Sequence, residues 1–440
     1  MEAPPAPWIC MSCGGDGIYR CRECTYWPVF CTSCCQAEHK LRPFHRVQQW
    51  NGTFFEKSSL RLAGIVIHLG HAGQPCPTGG DFTQEVTTDD EDEWEDVEED
   101  RGPTHLRSPK DRSYLVVVHT NGIHYCNVKY CTCVGAEDSH LQLTMAGLFP
   151  ATTKQPRTAF TFHVLDDLIR DNVECGTLAM NHYSKLQRIT SNGFPHLVPV
   201  NRYRELLQVS RMWRLLKLLK WQGLHTSPKD AGPGELVLFC LACLQLGVNI
   251  PKEGIDLSQT LVIDENFKAE HMHPKNPNNE VWLMDGKGFM VESMPYKKYL
   301  KGSINVVERS DCSNHHAVNH ANANRNQLAS TGIGGCACAR HGCFVPHAMV
   351  DFQKGEQVIH FYDINCQYSK NLAHQLKVNQ FISMPAGLTI QPGIGLWHVH
   401  GHQTECFVQY APNFIPGVGH VDGEIMEMLL RTAEKLKTNE

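Results

Sequence analysis

Sulfur and imidazole groups carry the clearest chemistry in this sequence. The run WICMSCGGDGIYRCRECTYWPVFCTSCCQAEHKLRPFH contains four close ligand pairs: Cys10/Cys13, Cys21/Cys24, Cys31/Cys34 and His39/His45. Each pair can grip one side of a tetrahedral zinc ion and two distant pairs complete it, so eight ligands make two closed structural sites. The order of the pairs predicts a cross-brace, with the first and third on one ion and the second and fourth on the other. Cys35 stands next to Cys34 as a substitute ligand. Twenty cysteines and 25 histidines, in a chain whose start lacks a basic-then-apolar leader, argue for metal binding rather than a disulfide framework. Zinc suits such ligands best.

Other Cys and His residues form weaker patterns. His68, His71 and Cys76, together with Cys131 and Cys133, read equally as a further site or as core strand residues. Cys240 and Cys243 form a CxxC with no obvious local partners. Near the C-terminus, CARH supplies Cys338 and His341, and WHVHGHQTEC supplies His398, His402 and Cys406 at i, i+4 and i+8. That spacing puts the last three on one face if the segment is helical. The five together are expected to form one zinc knuckle stapling the two halves of the C-terminal region, or else to be satisfied core residues; His400 is out of phase.

Three carboxylates suggest a different chemistry. Asp264 closes the apolar run TLVID, Asp363 closes VIHFYD, and Glu424 opens the helical pattern DGEIMEMLL, with Glu427 one turn on. Converging acids of this kind can hold two divalent cations about 3.5–4 Å apart, one activating a water or 3′-hydroxyl and the other stabilising the leaving oxygen. Hard oxygen ligands select Mg²⁺ or Mn²⁺. Asp351 also ends a strand-like run and competes with Asp363. Acids often end strands simply to be solvated, so the spacing alone does not establish the site.

The elements that must position these groups follow from composition and periodicity. The chain has 440 residues and 42% hydrophobic content, enough for two or three domains. Its formal charge is −6, but residues 89–100, DDEDEWEDVEED, carry ten acids and no base; the remainder sums to +4, which permits nucleic-acid binding. The acidic run reads as a solvated insertion. No apolar run reaches a membrane span, and no P-loop, dinucleotide fingerprint or Ser/His/Asp motif is present, which argues against membrane insertion, ATP-driven chemistry and hydride chemistry.

We expect a zinc module at 8–50 and a β-rich cysteine-cluster region at 51–150, with a hairpin around Asn121-Gly122. A helical connector at 151–255 and a mixed α/β region at 256–440 follow. The latter is expected to have strands in TLVIDENF, EVWLMD, GFMVES, PHAMVDF, VIHFYD and QFISMPAGLTI, and a terminal helix. In RMWRLLKLLKWQG, Arg211, Arg214, Lys217 and Lys220 form an i, i+3 ridge that suits phosphate contacts or simply the solvated flank of an amphipathic helix.

In their order these motifs resemble the Kyakuja–Dileera–Zisupton (KDZ) transposases with the cysteine-cluster domain that often precedes the catalytic region in fungal members. The resemblance runs through WNGTFFEKSSLRLAGIVIHLGHAGQPCP, HTNGIHYCNVKYCTC, LFPATTKQPRTAFTFHVLDDL, CLACLQLGVNIP, DENF, TGIGGCACARHGCFVPHAMVDFQKGE, YDINCQYSKNL, WHVHGHQTEC and GHVDGEIMEM. It implies an α+β multidomain protein whose C-terminal domain is RNase H-like. It also implies a nuclear DNA transposase that cuts transposon ends and joins them to double-stranded target DNA, self-associating to do so. Asp264 matches the first acid of the family triad, Asp363 the second and Glu424 the third. Cys338, His341, His398, His402 and Cys406 match its zinc-type positions, whereas Cys366-Gln367 belong to the pattern without a metal role.

Three departures stand out. In similar proteins about one helix and part of a strand separate QKGE from YDI, whereas here only QVIHF (357–361) does. A parallel strand pair needs a crossover of about a dozen residues or more, so five cannot supply it. Relatives also continue past the third acid, and CLACLQLG lacks the family's usual prolines. The runner-up expectation is therefore a catalytically inactive or repurposed zinc protein that binds DNA or chromatin partners.

Overall fold

The computed structural model describes residues 7–78, 114–198 and 201–224, and beyond them 231–243, 245, 248–251, 259–266, 269, 271–273, 282–302, 312, 328–330, 332–352, 365–378, 381, 383–384, 388–416, 418, 425–426 and 429. The acidic run, Asp363, Glu424, Glu427 and most of the expected terminal helix lie outside these residues. Two compact units emerge, Met1–Trp213 and Arg214–Glu440.

The first unit opens with a small antiparallel sheet. Its strands are β1 (Tyr19–Cys21), β2 (Val29–Phe30), β3 (Val47–Trp50) and β4 (Phe55–Ser58), in the order β2-β1-β3-β4, with helix α1 (Thr32–His39) beside them. The strands are too short to bury much apolar area. The interior consists of Tyr19, Phe30, Val47, Leu60, Ala63 and Ile65 together with the cysteines Cys10, Cys21 and Cys35. A core that small needs a further crosslink, which is where the ligand pairs sit.

The second sheet of this unit holds β5 (Val66–His68), β6 (Leu115–His119), β7 (Gly122–Lys129), β8 (Leu148–Pro150) and β9 (Thr158–Thr161), in the order β5-β7-β6-β9-β8. Helices α2 (Ser139–Met145), α3 (Phe162–Cys175), α4 (Ala179–Thr190) and α5 (Tyr203–Trp221) complete it. Strand β6 reads LVVVH without alternation because both its faces are covered. Val116 and Val118 meet Val164, Leu165, Leu186 and Leu206 of the helices, whereas Leu115 and Val117 meet Leu69, Leu143 and Leu148 on the other side. The expected hairpin forms with Thr120 and Asn121 as its two-residue loop, since His119 pairs with Gly122. Gly122 has φ +134°, and a Cβ there would lie 2.8 Å from Thr190 Oγ1, so glycine is required twice over.

The stretch expected as a helical connector, 151–255, divides between the units. Helices α3 and α4 and the first half of α5 share one core with the strands, closed by Trp213, whose indole N–H donates to Asp166 at 2.8 Å. Thr161 caps α3 by accepting from the Val164 amide, and Gly176 ends it in the left-handed conformation.

In the second unit, β10 (Leu261–Asn266), β13 (Gly332–Cys338) and β14 (Val350–Phe352) form an antiparallel sheet in that order, and β11 (His271–Met272) pairs with β12 (Leu328–Ser330). Helices α6 (Ser293–Gly302), α7 (Asn365–Val378), α8 (Leu396–Val399) and α9 (Thr404–Tyr410) accompany them. The strands expected in EVWLMD and GFMVES are not formed among the described residues. Gly286, at φ +70°, turns the chain, and the Gly286 and Lys287 carbonyls accept from Gly234 and Leu236 instead of a hairpin partner. Asp285 is used to cap α6, accepting from the Ser293 amide and hydroxyl. No helix among the described residues is long and apolar enough to cross a membrane.

A pH effect follows from the helical layer. His182 of α4 is fully buried, and that burial lowers its pKa despite the Asp171 carboxylate 2.9 Å from Nδ1, with Lys185 and Asp167 also facing it. The unfolded chain therefore takes up this proton at a higher pH than the folded one does. Stability is fully present above the unfolded pKa of about 6.5 and declines as pH falls below it. Denaturant midpoints measured at pH 7 and pH 5 should drop for the native protein and drop less for His182→Gln.

Candidate metal centres

The cross-braced pairs converge. Cys10, Cys13, Cys31 and Cys34 form one set and Cys21, Cys24, His39 and His45 a second, each with its ligand atoms within 4.8 Å of one another. Four sulfurs bound at 2.3 Å around one zinc would stand about 3.8 Å apart, and sulfur–nitrogen pairs slightly closer. Cys13 and Cys31 sulfurs are 3.7 Å apart, and in the second set Cys21 and Cys24 lie 3.5 and 3.4 Å from His45 Nδ1, with Cys24 3.6 Å from His39 Nε2. The spacing fits a zinc ion.

Surrounding groups prepare these ligands. His39 Nδ1 donates to the Cys35 carbonyl at 3.0 Å, which leaves Nε2 facing the site. Cys35 itself is no substitute for Cys34: it lies in the core, and burial pushes its thiol up to about 12. The Ser33 hydroxyl and the Cys34 amide draw the Cys31 thiol down to about 6, whereas its hydrogen bond to Cys31 pushes the Cys34 thiol up to about 12.

The uncertain downstream group also converges, without His68. His71 Nε2 stands 3.1 Å from Cys131 and 3.4 Å from Cys133, and the Cys76 sulfur lies 3.9 and 3.5 Å from the same two. Topology explains the meeting. Strands β5 and β7 are parallel neighbours, His68 pairing with Lys129, so the residues following each strand emerge at one edge. The Thr78 hydroxyl draws the Cys76 thiol down to about 5.

In the second unit the single knuckle expected from Cys338, His341, His398, His402 and Cys406 is replaced by two sets. Cys338 and His341 join Cys240 and Cys243, with Cys240 3.2 Å from His341 Nδ1 and Cys243 2.9 Å from Cys338. The CxxC that lacked local partners finds them about 100 residues away, at the end of β13. His402 and Cys406 join Cys312 and Cys366, with His402 Nδ1 3.4 Å from each of those two sulfurs. His398 is left out because no continuous helix runs through the segment: α8 ends at Val399, and α9 starts at Thr404 with Gln403 as its cap. Cys366, expected to have no metal role, lies on α7 among these ligands, and Cys312 was not anticipated at all. Each stands alone in its segment, so a search for ligand pairs passes over them.

Asp264 lies on β10 opposite Gly335 of β13, and Asp351 lies on β14 opposite Ile333. Cross-strand partners and alternate residues share a face, so both acids are on the side where Val262, Ile333, Ala337 and Met349 pack with Met426. Asp363 and Glu424 cannot be compared with them, lying outside the described residues. Of the basic ridge on α5, Arg211 and Lys220 are exposed, Arg214 and Lys217 half-buried, and Leu215 and Leu219 buried beneath.

Each set of four should hold one metal ion. Elemental analysis of protein purified without chelator should find at least about five zinc ions per chain, and Cys366→Ser or Cys131→Ser should each remove about one. An unchanged content in Cys366→Ser would exclude it as a ligand.

Two family matches accompany this geometry. Residues 102–193 match the CxC2 like cysteine cluster associated with KDZ transposases, and residues 257–361 and 356–438 match the Kyakuja-Dileera-Zisupton transposase. The two pieces of the second match overlap at 356–361. No curated protein matches the chain, and no solved structure does.

Proposed function

This chain belongs to the KDZ transposase family, and from that premise we propose that it is a nuclear DNA transposase whose strand-cutting site is built on β10. Asp264, Asp363 and Glu424 would supply its acids. Such carboxylates would hold Mg²⁺ or Mn²⁺ ions, which when bound polarise the scissile phosphate and the attacking oxygen. The zinc-type centres would be structural, holding the surfaces that grip DNA.

One observation carries this reading. Met426, two residues beyond Glu424 in sequence, is fully buried on the sheet face of Asp264, and a Cβ on Gly335, directly across from Asp264, would come within 3.7 Å of its terminal methyl. The burial of Met426 on this face supports drawing the third acid from the segment around it. The antiparallel sheet β10-β13-β14, with Asp264 on its edge strand β10, also supports an RNase H-like domain.

A second reading has its own support. Ten residues, 353–362, separate the end of β14 from Asp363, and the family match breaks among them. That is short for a crossover helix plus a following strand. The alternative is a transposon-derived zinc protein that binds DNA or chromatin partners without cutting.

A nicking assay on candidate transposon ends with added Mg²⁺ or Mn²⁺ separates the two. Catalysis predicts metal-dependent cleavage that falls at least about 100-fold in Asp264→Asn and in Asp363→Asn. Retained DNA binding with no cleavage at any metal concentration would favour the binding protein.

A further inference from the structure

The first unit contains a cavity of about 300 Å³ between the zinc-module sheet and the β6–β7 hairpin. Its walls carry four cations, Arg22, Arg46, Lys57 and Arg61, and no carboxylate. Two of the cations are held in place. Arg46 pairs with Glu23 at 3.0 Å and donates to the Ile189 carbonyl at 2.9 Å, while Arg22 lies 4.5 Å over the ring of Trp27. Leu60, Ile65 and Ile123 add an apolar surface to the same cavity.

The hairpin tip fixes the wall. Asn121 donates to both Glu23 carboxylate oxygens at 2.9 Å and to the Phe44 carbonyl at 2.7 Å, tying β6–β7 to the zinc module. The cavity is thus bounded by two sheets that a side-chain bridge holds together.

Its volume is at the low end for small-ligand sites and far too small for a duplex. A cationic rim beside an apolar floor suits one nucleotide, with its phosphate on the guanidinium and ammonium groups and its base against the aliphatic side chains. We propose that this cavity binds a single unpaired nucleotide of a DNA strand, such as an overhanging end. The proposal rests on the DNA reading above and adds a strand-state preference to it.

The full zinc-loaded chain can be titrated with a blunt duplex, the same duplex carrying a single-stranded overhang, and a glutamate-rich peptide. The overhang should bind about tenfold more tightly than the blunt duplex. Arg22→Glu/Lys57→Glu should abolish that preference and reduce the salt dependence of overhang binding by about one to two phosphate contacts, with blunt-duplex binding and zinc content unchanged. Lys57→Glu alone, at an exposed position of β4, should do part of this and guards against misfolding of the double variant. Equal binding of blunt and overhanging DNA, an overhang preference unaffected by the variants, or variants that weaken only peptide binding would each overturn the cavity proposal. Failure of every DNA to bind would overturn the DNA reading with it.

Discussion

Thiol and imidazole groups crowded within 4.8 Å of one another have little to gain from each other, but four of them arranged around a cation gain a great deal. That asymmetry recurs at no fewer than five places among the described residues. The N-terminal module depends on it most, because its strands are two to four residues long and its interior is partly made of cysteine. An ion held by Cys10/Cys13 and Cys31/Cys34 would reinforce the Met11–Val29 backbone hydrogen bond that already joins the two loops.

What brings distant ligands together differs from centre to centre. In the N-terminal module the crossing of two candidate sites brings α1 together with the loops before β1 and β3. At the third centre the parallel pairing of β5 with β7 delivers two chain exits to one edge. At the fourth, the end of β13 meets a CxxC about 100 residues earlier, and at the fifth, α7 and α9 bring Cys366 and Cys406 to Cys312. At each centre a bound ion would tie together chain segments that are distant in sequence, adding to the strand pairing and backbone hydrogen bonds already present there.

Among the described residues, two surfaces bear on the proposed function. One is the face of the β10-β13-β14 sheet, where Asp264 and Asp351 lie and where Met426 packs against the Gly335 position. The other is the carboxylate-free cavity against the β6–β7 hairpin. They belong to different units, and each is formed by elements whose ends a candidate metal centre closes: Cys338 and His341 at the end of β13, and His45 beside the cavity wall.

Close ligand pairs, the apolar run of β6, the turn at Asn121-Gly122 and the strand bearing Asp264 were legible in the sequence because each depends on neighbours within a few residues. The pairing order of the first two centres was legible for the same reason, since four regular pairs leave few ways to close. Cys312 and Cys366 were not, because a ligand alone in its segment carries no spacing. The grouping of Cys338 and His341 with Cys240 and Cys243, rather than with His402 and Cys406, was likewise beyond local pattern. So was the exclusion of His398, which follows from a helix break that periodicity alone did not reveal. Sequence by itself determined which atoms could bind metal and which family the chain resembles. Only the tertiary structure decided which atoms meet, because strand pairing and helix packing, acting over separations of 100 residues, set the distances on which coordination depends.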